Sequence, residues 1–392
     1  MRYIILSLTL ASILLADVSL SEEKSKILQL QRQKLNADAD KLQNSWISPL
    51  KAQARWQKSV NAGKFGGRTA SVGVSLNQDV FRSGGIWYAI DYAKAYAQLS
   101  KLGIDIQEAS LLKRLYTLTV QIQRDNFKLQ QFKLLLKNTE IDLEVIKDNY
   151  KAGNSDISQL NRASIDSDNA RVNLINTRNL LQNERYELKK LIGDKDIKKL
   201  KIPAIPLVDK ESYLEKNLEI LKAKKEIQTN LALYKTTKAK YLPKVSILGN
   251  YGYSKFRGGF QNYQGKEYNY GAQLSIPLDI NIKNDLQSNK INYIQSKVSL
   301  KDKRWEFEKE YQKHINNIKD IKEKIKISKK MLNMYHELYE FSKSQVKAGL
   351  KTNLDLESLA NSIKVQKLTQ KIQQKNILLE KIQLFFDLKV QG

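Results

Sequence analysis

The chain has 392 residues and no cysteine, which excludes a disulfide framework, thiolate chemistry and Cys-built zinc sites. Its 67 Lys plus Arg against 41 Asp plus Glu give a net charge of +26, a balance that attracts nucleic acid, anionic lipid or acidic partners. The cations are mostly lysines at solvent-facing helical spacings beside acids, with no Arg-rich stripe and no interleaved stacking aromatics, so the reading is a solvated helical surface and no nucleic-acid partner.

Residues 1–16, MRYIILSLTLASILLA, place Arg2 before an apolar run that ends on Ala16, the layout of a secretory signal peptide. The run is too short for a bilayer-spanning helix, and no other apolar run reaches about 18 residues, so any membrane role must rest on strands. From Ser21 to about Gln43 the pattern predicts one amphipathic helix. Past Pro49 apolar and polar residues alternate, predicting strands at 49–60 and 71–81 joined by a turn over Asn61 to Arg68.

A helix is predicted over 86–150, a rod of about 95 Å at 1.5 Å per residue, and after Lys151-Ala152-Gly153-Asn154 a second over 156–191. Gly193, Pro203 and Pro206 mark an irregular connection, and Ser212 to Tyr241 reads as helix. The pattern then returns. Strands are expected at 244–254 and 268–278 around a Gly-rich loop from Gly258 to Gly265, followed by helices at 282–346 and 353–388.

The chain is therefore expected to be mainly α with four β-strands, built from two internal repeats, 17–208 and 209–392, each a strand hairpin plus a long coiled-coil helical hairpin. Pro49 and Pro243, Gly73 and Gly271, and Gly153 and Gly349 correspond at nearly constant intervals. The strongest local match is Lys151-Ala152-Gly153 with Lys347-Ala348-Gly349. Asp156-x-x-Gln159 and Thr352-x-x-Asp355 follow and resemble capping boxes, and each Gly fits the left-handed residue that ends a helix.

Four strands cannot close a barrel, and their edges must be paired, so oligomerisation has to supply the rest. Trp56, Val72, Val74, Leu76, Val245, Ile247, Tyr251, Tyr270, Leu274, Ile276 and Leu278 make faces apolar enough for lipid, while Ser, Asn, Gln and Gly on the opposite faces suit a wet lumen. A soluble sandwich core is the alternative for the same alternation.

These features resemble the TolC-like outer membrane factors, the outer membrane efflux proteins that serve as exit ducts of efflux pumps and type I secretion systems. The resemblance spans nearly the whole mature chain. It rests on Val80-Phe81-Arg82-Ser83-Gly84-Gly85, Ile276-Pro277-Leu278-Asp279, the tips Tyr150-Lys151-Ala152-Gly153 and Val346-Lys347-Ala348-Gly349, and the half-chain repeat. It implies a homotrimer in the outer membrane with a 12-stranded transmembrane β-barrel and a periplasmic α-helical tube. The tube would be closed at its tips and opened by a periplasmic adaptor (membrane fusion) protein and an inner-membrane transporter. Tyr150, Lys151, Gly153, Asp156, Val346, Lys347, Gly349, Lys351 and Asp355 would form the gate and adaptor contact. The chain departs from some relatives in lacking a lipid-anchor Cys, in carrying Val346 where an aromatic is common, and in carrying Ser358 where a second acid is common. Asp355 has two readings, an acid of the entrance ring or a helix cap held by the dipole.

No catalytic constellation, cofactor site or metal site is read. His314 and His336 lie about 33 Å apart along one helix, too far to share a ligand or proton, and both are taken as surface positions. The rival to a conduit is a periplasmic coiled-coil scaffold or adaptor without a pore, which would need no apolar strand faces.

Overall fold

The computed structural model describes residues 19–60, 66–197, 200, 202–258 and 261–389. The expected signal peptide at 1–16 and residues 61–65 of the first hairpin turn lie outside the described residues. Among the described residues seven helices, α1 (Glu22–Gln43), α2 (Gly85–Lys151), α3 (Ile157–Ile192), α4 (Lys210–Lys216), α5 (Leu218–Lys240), α6 (Ile282–Lys347) and α7 (Asn353–Phe385), accompany four strands, β1 (Lys51–Val60), β2 (Gly66–Phe81), β3 (Lys244–Gly258) and β4 (Gln261–Ser275). Among the described residues no helix is long and apolar enough to cross a membrane. The chain divides into two compact units, one of Met1–Gln29, Asp105–Glu219 and Arg304–Gly392 and one of Leu30–Ile104 and Ile220–Lys303.

The first unit is helical. In α3 the buried residues Ala163, Ser167, Ala170, Leu174, Thr177, Leu181, Glu184, Leu188 and Leu191 recur every three or four positions, which lays them along one stripe. Arg114 to Glu187 (2.6 Å) and Arg171 to Glu140 (3.3 Å) join α2 to α3. Gln131 to Thr369 and Lys375 to Gln123, both 2.7 Å, join α2 to α7. Ser328 to Gln366 at 3.0 Å joins α6 to α7, so the packing order is α3, α2, α7, α6. Leu115, Tyr116, Val120, Leu188, Ile192, Ile382 and Leu384 are fully enclosed, with the Tyr116 and Phe386 rings 4.8 Å apart.

Two expectations are corrected in this unit. The helix read over Ser212 to Tyr241 is interrupted at Asn217, whose backbone is extended at φ −60 and ψ 125. Asp387–Lys389 runs antiparallel beside it: Leu218 N–H donates to the Asp387 carbonyl at 2.9 Å and Lys389 N–H to the Lys216 carbonyl at 2.8 Å. A long-range strand contact thus replaces helical bonds that the local pattern would support. His314 is buried rather than exposed, with its Nδ1 2.5 Å from Glu380 Oε2, because its face of α6 packs on α7. His336 is exposed as expected.

The second unit holds one antiparallel meander, β1-β2-β3-β4. Its strands run further into the turns than the alternation suggested, since Gly66 pairs with Val60 and Gly258 with Gln261. At the other end β4 stops at Ser275, so Ile276 and Leu278 are not strand residues; Pro277 has no N–H for a ladder and restricts the residue before it. Gly73 faces Gly252, and a Cβ at either would lie 2.9 or 2.8 Å from a carbonyl oxygen of the neighbouring strand. Only glycine permits that approach, and it occurs on the polar face. At the strand ends Gln78 accepts from Ser48 N–H at 2.8 Å and donates to the Trp46 carbonyl at 3.1 Å, while Ser83 Oγ donates to the Pro243 carbonyl at 2.7 Å.

Candidate functional site

Cross-strand partners share a face, so the register assigns every strand residue to one side. Trp56 pairs with Ala70, Val72 with Tyr253, Val74 with Tyr251, Leu76 with Gly249, Gly249 with Tyr270 and Val245 with Leu274, and Ile247 belongs to the same face through Gln78. Of the predicted lipid-facing residues, all but Ile276 and Leu278 are therefore on one side of one sheet. All but the half-buried Val245 are exposed: Trp56 is 69%, Leu274 66% and Tyr270 87% exposed. Gln53, Ser71, Ser75, Asn250, Asn269 and Gln273 form the other side. The sheet's edges, β1 and β4, have no further strand partner among the described residues.

The helical hairpins end in two tips with a common plan. At the first, Gly153 at φ +77 leaves α2, and Asn154 N–H reaches back to the Asn149 carbonyl at 2.8 Å. At the second, Gly349 at φ +73 leaves α6, and Leu350 N–H reaches the Gln345 carbonyl at 2.9 Å. These are Schellman-type endings, which need a left-handed residue. The helices that follow differ. Thr352 and Asp355 form a full reciprocal box, with Asp355 N–H donating to Thr352 Oγ1 at 3.3 Å and Thr352 N–H to Asp355 Oδ2 at 3.1 Å. At the first tip only half of the expected box exists: Asp156 accepts from Gln159 N–H at 2.8 Å, but the Gln159 side chain turns to Ser155 Oγ. A serine beside the cap offers the amide a nearer partner than the cap's own backbone.

Among the predicted tip residues, the fold brings Lys351 and Asp355 to a cavity of about 560 Å³ formed with α2 and α3, lined also by Asp142, Gln159, Arg162, Asp166 and Ser358. Tyr150, Lys151, Lys347 and Gly349 stay exposed outside it, Lys151 pairing with Asp148 at 3.2 Å, and Val346 is half-buried. Lys351 Nζ donates to the buried Ser342 Oγ at 3.4 Å, while Asp355 is held by its box. Burial, and then the charge of Asp355, raises the Asp142 carboxyl above its ordinary range. Asp142, Arg162 and Asp166 escaped the sequence reading because nothing local marks a residue of α2 as the neighbour of the second tip. Ser358 has a structural part instead of an acidic one: its carbonyl accepts from Asn138 Nδ2 at 3.2 Å.

A second polar layer lies deeper. Asp125, fully buried, accepts from Arg124 at 2.7 and 2.9 Å and pairs with Lys128 at 3.0 Å; these partners outweigh its burial and hold its carboxyl below the usual range. Glu184 faces it, also buried, and burial together with the Asp125 charge pushes its carboxyl up to about 7. The signal was present in the sequence, since Glu184 is the only acid on the apolar stripe of α3.

The sequence profile of outer membrane efflux proteins matches residues 18–194 and 211–383. The fold is similar to that of a membrane protein from Pseudomonas aeruginosa, with a TM-score of 0.73 and 14% identity over 94% of this chain and 91% of that one. It is similar to the CmeC outer membrane channel of Campylobacter jejuni, with a TM-score of 0.73 and 14% identity over 92% of this chain and 82% of that one. The outer membrane protein VceC of Vibrio cholerae gives a TM-score of 0.70 and 13% identity over 92% of each chain. Comparison with curated proteins by sequence gives no match.

Proposed function

Because the chain belongs to the outer membrane efflux protein family, we propose that it is the passive outer-membrane exit duct of a tripartite efflux pump or type I secretion system. Three copies would join β4 of one to β1 of the next in a 12-stranded barrel, with the helices as a periplasmic tube. The observation that carries this reading is the sheet: an uncovered apolar face, a polar face with glycine-lined close approach, and two open edges. From Ala70 to Phe81 the apolar face of β2 extends about 36 Å, or about 27 Å of height at a 40° tilt, which matches the lipid-facing band of outer-membrane barrels. A pore-free coiled-coil scaffold would leave that face in water.

The Gly153 and Gly349 tips would form the periplasmic mouth and the adaptor contact, opened by the adaptor and, through it, by the inner-membrane transporter. Asp355 completes the capping box of Thr352 at the start of α7 in either case. Its gating role would use the same carboxyl in a threefold acidic collar, with Lys351 in ion pairs between copies. Such pairs are each worth about 0–1 kcal/mol, so an adaptor could open the mouth cheaply.

Fractionation tests the reading directly: the protein should enter outer membranes as a detergent-stable trimer, and recovery as a soluble periplasmic monomer would overturn it. In planar bilayers Asp355→Asn and Lys351→Ala should raise conductance or alter cation preference without loss of trimer. Unchanged conductance and selectivity in both variants would leave Asp355 as a cap alone.

A further inference from the structure

The turn end of the sheet carries a row of cations with no counter-charge among the described residues. Lys58 pairs with Arg68, and Arg68 with Arg257, so three cationic side chains leave the same face within about 5 Å of their neighbours. Lys255, two residues from Arg257, and Lys266, paired with Tyr253, share that face. All are exposed except Lys255, which is half-buried. The only acids in the four strands are Asp79 and Glu267. Both lie on the polar face, where Ser246 and Ser254 respectively donate to them. Like charges directly opposite one another weaken a strand ladder, so this row persists at a cost unless an anion lies against it.

Its position says which anion. Beneath Lys58, Arg68 and Arg257 come the aromatics of the same face, Trp56 in the row of Lys255 and Tyr253 in that of Lys266, then Tyr251 paired with Tyr268, then Tyr270. This is the layout of a membrane-interface belt, with apolar ring bodies toward hydrocarbon and polar tips toward headgroups. Arg68 is two residues beyond Ala70, about 5 Å further along the membrane normal at a 40° tilt. That is the level of headgroup phosphates, and an Arg fork suits phosphate oxygens. Cations serving only solubility would be equally at home on the other face, yet there the same stretch carries Gln57, Ser59 and Thr69.

We propose that Lys58, Arg68, Lys255, Arg257 and Lys266 bind net-anionic, phosphate-bearing lipid headgroups of the outer leaflet. The inference rests on the reading of the sheet as a barrel wall whose hairpin turns face outward.

The test uses Trp56 as a local reporter, with Trp46→Phe, Trp87→Phe and Trp305→Phe removing the other tryptophans, and vesicles of brominated lipid as quencher. Brominated phosphatidylglycerol should bind beside Trp56 on the order of tenfold more tightly than brominated phosphatidylcholine, as a few cations near an anionic surface require. The combined variant Lys58→Gln, Arg68→Gln, Arg257→Gln should bring that ratio close to one while the trimer remains. Lys51→Gln with Arg55→Gln, on the polar face of the same strand, should leave it unchanged. Equal binding of the two lipids, or a ratio that survives the triple substitution, overturns the inference and leaves the barrel intact. So does a ratio abolished by inorganic phosphate at fixed ionic strength, which would mark a free-phosphate site. Absence of quenching by either lipid would instead remove the sheet from the bilayer and overturn the barrel reading itself.

Discussion

The two units handle apolar surface in opposite ways. In the helical unit the apolar stripe of α3 is closed over within the chain, and even charged groups such as Asp125 and Glu184 are enclosed with it. In the strand unit the large apolar side chains, Trp56, Tyr251, Tyr270 and Leu274, stand uncovered on one face. With the sheet as the proposed barrel wall, the contrast teaches that exposure means something different in each solvent. Apolar groups in water are driven to cover one another, whereas the same groups against hydrocarbon need no cover. Each unit therefore predicts its own response to substitution.

The largest effect should come from charge on the uncovered face. Val74→Arg should cost about 2–4 kcal/mol and block membrane assembly, while Ser75→Arg, one residue along and facing the other way, should be tolerated. Comparing trimer yield in outer-membrane fractions checks this, and equal yields would erase the distinction between the faces.

Next comes the enclosed acid. The carboxyl of Glu184 is raised from 4.5 to about 7 in the folded chain, so between those values the folded state holds a proton that the unfolded state has released. Stability should therefore fall as pH rises through that window, by about 3 kcal/mol. Glu184→Gln should flatten the thermal midpoint across pH 5 to 8 and raise it at the upper end. A variant that melts with the wild-type pH profile would mean the acid is not buried in the native assembly.

Smaller changes are expected at the tips. A Cβ at Gly153 or Gly349 would meet nothing within 4 Å, so a substituent there suffers only from the left-handed backbone. Gly153→Val and Gly349→Val should each lose about 1–2 kcal/mol, and the Asn variants, which tolerate that conformation, distinctly less. The smallest effect separates the caps. Thr352→Ala breaks a reciprocal box and Asp156→Ala a single bond, each near 1 kcal/mol, with the former the larger. Amide hydrogen exchange in the first turns of α7 and α3 would rank them.

The amino-acid sequence by itself determined what is local or periodic. Alternation at Val72, Val74 and Leu76 sets strand faces because side chains in a strand repeat every two residues, and the α3 stripe sets a helix because apolar positions recur every three or four. Gly153 and Gly349 announce left-handed helix ends because a Cβ disfavours that backbone. Only the tertiary structure decided what depends on partners distant along the chain. It halted the helix at Asn217 by laying Leu388 beside it, buried His314 against Glu380, and joined Asp355 to Asp142 around one cavity. It also aligned Lys58, Arg68 and Arg257, since the cation between them in sequence space is not near its neighbours until the register is set. The physical reason is common to all four cases: a helix or strand period fixes where a side chain points relative to its own element, whereas the identity of what it meets depends on pairing and packing between segments that no local pattern encodes.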